Sequence, residues 1–327
     1  MSGPGKALVP DPDNIRLAML GMVEGNGHPY SWSAIFNGYD REVMKDCPYA
    51  AIPSYLNAEP PGAIGIPGAT VTHIWCDDPL DAEHVSKAAL IENVVADPLE
   101  VIGQVDAVII PTDKGEEHID RARPFIEAGL PVFIDKPLTI VEDHLRQFTQ
   151  WQREGKAILS TSCMRYAKEF EIARMKQMMI GEPRLITMTT PKSWERYGIH
   201  APEGVYPFLE PGGYLDVMNT GTENSNLVHI RHESGVDTLL AAVQDMYGAF
   251  GRLNVYGTEG LLTKQFEDTF FAFKAQLVAF VEYLRTGILP FPFEQTVELM
   301  KIVIAGIRSR EEGNRRVSLS EIANGSS

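Results

Sequence analysis

The sequence has few cysteines, a deficit of basic residues and no long apolar run. Its three cysteines, Cys47, Cys76 and Cys163, lie far apart and form no CxxC pair. Neither a disulfide framework nor a metal site is therefore predicted, and a reducing compartment is expected. The chain has 29 Lys and Arg residues against 44 Asp and Glu residues, a net charge of −15. No nucleic-acid partner is expected, because binding a phosphate backbone needs clustered cations.

No window approaches the roughly 20 apolar residues of a membrane span, so no membrane partner is predicted. The first residues, MSGPGKALVPDPDN, also lack the apolar core of a signal peptide. We therefore expect a disordered N-terminal segment on a cytoplasmic protein. Because single hydrophobic cores stop growing at roughly 250 to 300 residues, a chain of 327 residues is expected to form two domains.

The first half of the chain alternates short apolar runs with helical patterns, which is typical of a parallel sheet with crossover helices. The predicted strands are RLAML (16–20), TVTHIWC (70–76), DAVII (106–110), PVFI (131–134) and AILST (157–161). Ile119, Ala122, Phe125 and Ile126 recur at helical spacing before Gly129, a stop signal. Five prolines break the pattern over residues 37–68, so an insertion is predicted there.

The second half has a different pattern. The segments PRLITMTTP, NSNLVHIRHESGVDTLLAAVQD and GRLNVYGTEGLLT predict strands joined by tight turns, with Ser234 and Gly235 at a hairpin apex. A helix is expected near residues 167–180. Two amphipathic helices follow the strands, each closed by a glycine. We place the domain boundary between residues 163 and 164.

Three glycines follow the apolar run IRLAML in the stretch GMVEGNGHPYSW (21–32). Their spacing is GxxxGxG rather than GxGxxG, which by itself is a weak dinucleotide signal. Gly25 and Gly27 would let the backbone approach a pyrophosphate, and Pro29 suits the first turn of a helix with free N–H groups. The cofactor-binding residues predicted in this loop are Gly21, Gly25, Asn26, Gly27, His28, Tyr30 and Ser31.

The second predicted strand ends in WCDDP, which places Asp77 directly after it. An acid at this position binds the adenosine ribose hydroxyls and repels a 2′-phosphate. No arginine is adjacent in sequence, so NAD is favoured over NADP. Asp78 replaces Asp77 if the strand is one residue longer, and the other interpretation is an acidic turn before Pro79.

Lys136, in IDKPLT, follows a strand expected near the centre of the sheet. Ligands of open α/β sheets bind at the carboxyl ends of the strands, so this position places the lysine in the expected site. The alternative is a lysine that faces solvent at a strand end.

These motifs resemble those of the Gfo/Idh/MocA oxidoreductases, which include glucose-fructose oxidoreductase and inositol dehydrogenase. The resemblance is carried by VDAVIIPTDKGEEHIDRARPFIEAGLPVFIDKPLT, by AILSTSCMRYAKEFEIARMKQMMIGEPRLI and by GNRRVSL near the C-terminus. It implies an N-terminal Rossmann domain (residues 1–163), with a doubly wound parallel sheet that binds NAD. It also implies a C-terminal α/β domain (164–327) with a large, mostly antiparallel open sheet, assembled as a homodimer or homotetramer.

The resemblance also assigns roles to residues. Lys136 matches the lysine of the family's EKP motif, beside the nicotinamide and the substrate hydroxyl, and Asp135 replaces the glutamate. In WERYGIHAPEGVYPFL, His200 falls on the catalytic histidine, while Arg196 stands where the family usually has an aspartate. A rival alignment on GGYLD (212–216) has no histidine at the required distance. Glu203, Glu195 or a backbone carbonyl are left as candidates for orienting the imidazole.

Oxidation of a secondary alcohol needs a base near working pH to take the hydroxyl proton as hydride leaves. A histidine has a suitable pKa, and a lysine approaches it when buried beside a cationic nicotinamide. His200 is therefore the predicted general acid/base, and Lys136 the electrostatic partner or proton relay. Further cofactor contacts are predicted at Thr112, Asp135 and Lys136, and substrate contacts at Lys136, Arg165, Tyr166, Trp194, Arg196, Tyr197 and His200. For His118, a site role and a helix-surface role stay open.

The resulting hypothesis is an NAD(P)-dependent dehydrogenase that acts on a CH–OH group of a sugar, polyol or sugar derivative. One alternative is an NAD-dependent glycosidase or lyase that oxidises its substrate transiently. Another is a non-catalytic sensor that kept the fold.

Overall fold

The computed structural model describes residues 5–322 and contains two sheets. The first sheet has six parallel strands in the order β3-β2-β1-β4-β5-β6. They are β1 (Ile15–Leu20), β2 (Ala69–Trp75), β3 (Asn93–Val94), β4 (Ala107–Ile110), β5 (Val132–Ile134) and β6 (Ile158–Ser160). Its helices are α1 (His28–Asn37), α2 (Arg41–Met44), α3 (Ala51–Ala58), α4 (Pro79–Ala88), α5 (His118–Glu127) and α6 (Glu142–Arg153). The predicted doubly wound parallel sheet is confirmed, although the two-residue strand β3 was not predicted.

Alternate residues of the central strands point to opposite faces of this sheet. Met19 of β1 and Ile109 of β4 face one core, whereas Leu20 and Ile110 face the other. The predicted helix α5 is confirmed, and its four apolar positions are buried. The strand order reverses between β1 and β4, so a crevice opens at their carboxyl ends, where such sheets bind ligands.

The predicted insertion lies between α1 and β2 and contains the short helices α2 and α3. It packs against the loop after β1. A Cβ on Gly27 would lie 2.5 Å from the ring of Tyr49 and 2.6 Å from Ile52. Gly27 is therefore required for close packing against the insertion.

The second sheet is mixed, with the strand order β12-β11-β7-β10-β9-β8-β13. Its strands are β7 (Pro183–Pro191), β8 (Tyr214–Asn219), β9 (Ser225–His232), β10 (Asp237–Val243), β11 (Arg252–Gly257), β12 (Leu261–Gln265) and β13 (Val317–Ser318). Among the described strands of this sheet, β7 and β10 pair in parallel and the other five pairs are antiparallel, so the predicted mostly antiparallel sheet is confirmed. The hairpin apex lies between β9 and β10, where Gly235 has a φ of 79°. The edge strand β13 and its neighbour β8 were not predicted.

The helices of the second half are α7 (Lys168–Met175), α8 (Trp194–Tyr197), α9 (His200–Val205), α10 (Thr269–Thr286) and α11 (Phe293–Glu311). α11 packs on β8 of the second sheet. α10 instead returns to the first sheet, where Phe280 packs 5.4 Å from Phe133 of β5, centroid to centroid. The predicted boundary at residues 163 and 164 separates the strands of the two sheets, but α10 crosses back over it.

The N-terminal segment was expected to be disordered. Residues 1–4 lie outside the described residues, but from residue 5 onward the segment packs along α10. Leu8 N donates to Leu284 O at 2.8 Å, Arg285 Nε donates to Pro12 O at 3.0 Å, and Val9 is buried. The expectation is therefore wrong for residues 5–14, because the end of α10 supplies them with partners. Across residues 5–322, every helix is too short or too polar to span a bilayer.

Candidate active site

The glycine loop connects β1 to α1 at the crevice. Gly21 (φ 109°) and Gly25 (φ 78°) adopt backbone conformations that disfavour other residues. A Cβ on Gly21 would lie 2.9 Å from the methyl group of Thr112, whereas one on Gly25 would meet nothing within 4 Å. Asn26 ties the loop in place, because its Nδ2 donates to Pro111 O and its Oδ1 accepts from His28 N, both at 2.9 Å.

This loop fits a dinucleotide phosphate group. The N-cap residue of α1 is Gly27, which has no side chain to cap the helix, and the first turn has no acidic residue. Within the described residues, Asn26 Oδ1 accepts only from His28 N. The open space beside Gly25 leaves room for a ligand to approach the backbone. A helix N-terminus in this state attracts anions.

Two residues predicted to bind the cofactor lie on the far side of α1 instead. The Tyr30 hydroxyl is 2.6 Å from His84 Nδ1, inside the core between α1 and α4. Ser31 is fully buried and accepts a hydrogen bond from the Tyr55 hydroxyl of the insertion. Both predictions are corrected: the helical turn after His28 directs these side chains into the core.

Asp77 lies at the carboxyl end of β2, as predicted, and accepts a hydrogen bond from Met22 N at 3.1 Å. It also pairs with an arginine, which the sequence analysis did not foresee. Arg121 of α5 crosses above β1, and its Nη2 reaches Asp77 Oδ1 at 2.7 Å and Glu117 Oε2 at 3.0 Å. No arginine is adjacent to Asp77 in the sequence, but the fold places Arg121 beside it. Arg121 is shared by two carboxylates, and Lys114 Nζ also approaches Glu117 Oε1 at 3.3 Å, so Asp77 and Glu117 are balanced by two cations.

Lys136 lies in the crevice between the glycine loop and the second sheet and is 3% exposed. Its Nζ is 3.8 Å from Asp113 Oδ2, 3.9 Å from Asp135 Oδ2 and 4.5 Å from the centre of the Tyr197 ring. His28 Nδ1 approaches the same Asp135 oxygen at 2.9 Å. All four polar atoms are buried, and none completes an aligned hydrogen bond within residues 5–322. We call Lys136, Asp113, Asp135 and His28 the polar cluster.

The charges of the polar cluster stabilise one another. Burial by itself would lower the pKa of Lys136, but Asp135 and Asp113 outweigh it, so the pKa lies above its ordinary value. Burial would raise the pKa of Asp113, but Lys136 and Arg196 lower it to about 2. Lys136 is therefore an ammonium group, because the two acids oppose the lowering of its pKa that burial by itself would cause.

His200 begins α9 and is 4% exposed. Its Nδ1 is 2.7 Å from Ser162 Oγ, at the carboxyl end of β6. Ser162 Oγ also accepts from Met164 N at 3.1 Å, so its own proton is free to point at the imidazole. Burial lowers the pKa of His200 well below 6.5, and the charge of Lys136 adds to this effect. The ring is therefore neutral and able to accept a proton.

Within residues 5–322, none of the groups expected to orient His200 does so. Glu203 accepts from Ser162 N at 3.0 Å and from Arg165 Nε at 2.6 Å, while Glu195 pairs with Arg310 on α11. Ser162 is the orienting residue, and sequence analysis missed it. The available signal was a polar residue in the loop that follows a parallel strand: Ser162 follows β6, and Asp113 follows β4.

The predicted substrate residues separate into three groups. Tyr197 lies against Lys136, with its ring 4.9 Å from that of His200. Arg165 lies behind His200, where its Nη1 donates a hydrogen bond to Gln295 Oε1 at 2.8 Å. Tyr166 is adjacent in sequence, and burial raises the pKa of its phenol. Trp194 is fully buried and donates to Val303 O at 2.9 Å, so its predicted contact with substrate is corrected to a core position.

Arg196 connects the second sheet to the glycine loop. Its Nη2 donates to Asp113 Oδ1 at 2.5 Å and to Glu24 O at 3.0 Å. Lys192 Nζ donates to Gly25 O at 3.3 Å from the same segment. The residue at the position of the family's aspartate thus helps to close the crevice.

His118 is fully buried, so its helix-surface alternative is wrong. Its Nδ1 is 2.9 Å from Pro137 O, and its Nε2 is 2.9 Å from Thr112 O. It joins the loops after β4 and β5, which carry Asp113 and Lys136. In the described part of the chain, no three His, Cys, Asp or Glu side chains are grouped closely enough to hold a metal ion.

Residues 54–162 match the family model GFO_IDH_MocA, described as an oxidoreductase family with an NAD-binding Rossmann fold. The resemblance to the Gfo/Idh/MocA family is confirmed. The matched segment contains Asp77, Asp113, Lys136 and Ser162. The description of this oxidoreductase family agrees with the predicted cofactor, NAD.

Several solved structures are similar to this chain over almost its whole length. Scyllo-inositol dehydrogenase from Lactobacillus casei, with bound NAD(H) and scyllo-inositol, has a TM-score of 0.71 at 15% identity, covering 94% of this chain and 99% of that one. Myo-inositol 2-dehydrogenase from Lactobacillus plantarum has a TM-score of 0.73 at 14% identity, covering 93% and 99%. A probable dehydrogenase from Thermotoga maritima has a TM-score of 0.72 at 16% identity, covering 94% and 100%. At these identities the likeness shows the fold alone. No curated protein sequence matches this chain.

Proposed function

We propose that this protein is an NAD-dependent dehydrogenase that oxidises a secondary hydroxyl of a sugar, polyol or sugar derivative. The observation that carries the proposal is the polar cluster beside the glycine loop. It presents two buried carboxylates, a buried ammonium group and an imidazole whose Nδ1 is buried, all with hydrogen-bonding capacity left over. Buried polar groups in this state are costly unless a ligand or water completes their hydrogen bonds.

The proposed substrate class follows from the chemistry of the cluster. A hydroxyl group both donates and accepts, so it can bond an ammonium group and a carboxylate together. Asp113 and Asp135 flank Lys136, which gives a polyhydroxy compound acceptors for its neighbouring hydroxyls. The inositol dehydrogenases among the similar structures are compatible with this class.

In the proposed reaction, Lys136 holds the reacting hydroxyl oxygen with its positive charge. A neutral imidazole then takes the hydroxyl proton, and His200 is the imidazole predicted from the sequence. Bound NAD supplies the ring that accepts the hydride. The glycine loop and the start of α1 would hold its pyrophosphate, and Asp77 would hold the adenosine ribose.

NAD rather than NADP is proposed because the guanidinium group of Arg121 is already paired with Asp77 and Glu117, and the carboxylate of Asp77 would repel a 2′-phosphate. We further propose two functional domains: residues 1–163 for the cofactor, and 164–327 for the substrate and a partner subunit. A cytoplasmic homodimer or homotetramer belongs to the same proposal.

The test is turnover by the purified protein with NAD and a panel of polyols that includes myo-inositol and scyllo-inositol. We expect a rise in reduced-nicotinamide absorbance in step with loss of the polyol, and no rise with Lys136→Ala, although this variant still binds NADH. Steady NADH formation by the Lys136→Ala variant would refute the assignment of the site.

The panel should also include glycosides, because the alternatives predict other results. Cleavage of a glycoside without net NADH would identify a glycosidase or lyase that restores its cofactor. Clear NADH binding without turnover of any polyol would instead support a sensor.

A further inference from the structure

The polar cluster contains an imidazole of its own, that of His28, in contact with Asp135. His28 begins α1 and belongs to the glycine loop, where only cofactor contacts were expected. Its ring stacks on Trp32 with 4.3 Å between centroids and 14° between planes, and meets the edge of Phe273 of α10 at 5.2 Å. The Nδ1 edge of this packed imidazole faces Asp135 at 2.9 Å.

We propose that His28 is a second proton-transferring residue of this site, oriented by Asp135. The proposal rests on the proposed function. The Lys, Asp and His constellation predicted from the family is incomplete at Arg196, but Lys136, Asp135 and His28 assemble the same three side-chain types from the loops after β5 and β1. A carboxylate that accepts the Nδ1 proton leaves Nε2 as the base and stabilises the imidazolium that forms.

The contact between His28 and Asp135 is close but not yet aligned as a hydrogen bond. Rotation about the χ2 bond of a histidine is soft, so a turn of the ring can align the pair. Catalytic hydrogen bonds are often poorly aligned before the reactants bind. His200 lacks such a carboxylate, since its Nδ1 meets the neutral hydroxyl of Ser162.

The two imidazoles also differ in access to solvent. The side chain of His28 is 15% exposed, whereas His200 is 4% exposed. In the proposed step, His200 takes the hydroxyl proton and Nε2 of His28 receives it next, while the O–H electron pair becomes the second C=O bond. NAD, when bound, would accept the C–H electron pair as hydride. The proton then leaves His28 for water through the exposed part of its ring.

Three variants test this role: His28→Ala, His28→Gln and, as a matched control, His84→Gln. His84 is hydrogen-bonded to the Tyr30 hydroxyl on the other side of α1. Replacing His84 therefore disturbs the packing of α1 and leaves the residues of the polar cluster unchanged. We expect kcat on the polyol that the turnover panel identifies to fall by ~100-fold or more in both His28 variants. NADH affinity, measured by nicotinamide fluorescence, should stay near that of the parent protein, and His84→Gln should keep its kcat.

Added imidazole separates a proton-transfer role from a packing role. We expect it to restore part of the activity of His28→Ala, which has a cavity between Trp32 and Phe273, and none of that of His28→Gln. Wild-type kcat in His28→Gln, or a loss in His28→Ala that imidazole does not relieve while NADH still binds, would overturn the proposal.

A measurement on the protein alone keeps the two proposals distinguishable. Nitrogen-15 NMR of the histidine rings should find the neutral His28 proton on Nδ1, facing Asp135, and the Asp135→Asn variant should move it to Nε2. A neutral His28 that carries its proton on Nε2 in the parent protein would overturn this inference even if no polyol is oxidised. Absence of polyol turnover with the expected NMR result would instead count against the proposed function.

Discussion

Replacement of Lys136 by methionine is expected to destabilise the protein as well as to inactivate it. Methionine keeps an unbranched chain of similar length, so the change removes mainly the charge. Lys136 lies within 4 Å of two carboxylates that are each 1% exposed, as the distances of 3.8 Å to Asp113 and 3.9 Å to Asp135 show. Without Lys136, both carboxylates lose a buried cation.

The expected loss of unfolding free energy depends on the contacts that Asp113 and Asp135 keep when Lys136 is replaced. Breaking a buried ion pair by removing one partner costs about 3–5 kcal/mol. Asp113 keeps Arg196 and Asp135 keeps the contact with His28, so we expect a value near the lower limit, about 3 kcal/mol. Combining Lys136→Met with Asp113→Asn also removes one of the two carboxylates that lost its cation. The loss of unfolding free energy in the double variant should therefore differ from the sum of the two single losses by about 1–3 kcal/mol.

Urea unfolding of the parent, the two single variants and the double variant at neutral pH measures these differences. The free energy of unfolding is compared at a common denaturant concentration, together with the slope m, because a changed m would indicate a changed unfolding transition. A Lys136→Met variant as stable as the parent, or strict additivity in the double variant, would refute the description of Lys136 as a buried cation that holds two acids.

Three further predictions concern the surroundings of the polar cluster. Ser162→Ala should lower kcat by about 10-fold or more through loss of imidazole orientation, and Ser162→Thr should recover most of it in steady-state assays. The pKa of His200 lies well below 6.5, so activity that depends on its neutral ring should persist below pH 6.5. Stability should decrease as the pH falls from 6.5 toward that lowered pKa, because the unfolded chain binds the proton first, which a pH series of urea unfolding would show. Gly27→Ala should lower the unfolding free energy by about 1–3 kcal/mol, since its Cβ would overlap Tyr49. An unchanged urea midpoint would contradict that packing.

The strands and helices that could be predicted were those with a strong local pattern. Helix α5 has its apolar residues at regular spacing, and β1, β2, β4, β5 and β6 are apolar runs bounded by turn residues. β3 and β13 have two residues each, too few for any periodicity to be visible. Their pairing is decided by the strands beside them, which is tertiary information.

The candidate site was predictable where one side chain follows one strand. Asp77 and Lys136 are of this kind, because the carboxyl ends of parallel strands meet at the same edge. Contacts between distant segments were not predictable from a single sequence. Arg121 meets Asp77 across 44 residues, and Ser162 meets His200 across 38. The inward turn of Tyr30 and Ser31 depends on the packing of α1 against α4 and the insertion, which the loop sequence does not encode.

The departures of this chain from the family pattern compensate one another electrostatically. Arg196 stands where the resemblance places an aspartate, yet Asp113 supplies a carboxylate from the loop after β4 and pairs with that arginine. The same guanidinium group donates to Glu24 O of the lengthened glycine loop. Restoring aspartate at position 196 would therefore place a second acid beside Asp113 and release the loop. The unusual loop, Asp113 and Arg196 thus form one coupled unit, and the family residue would not be neutral at this position.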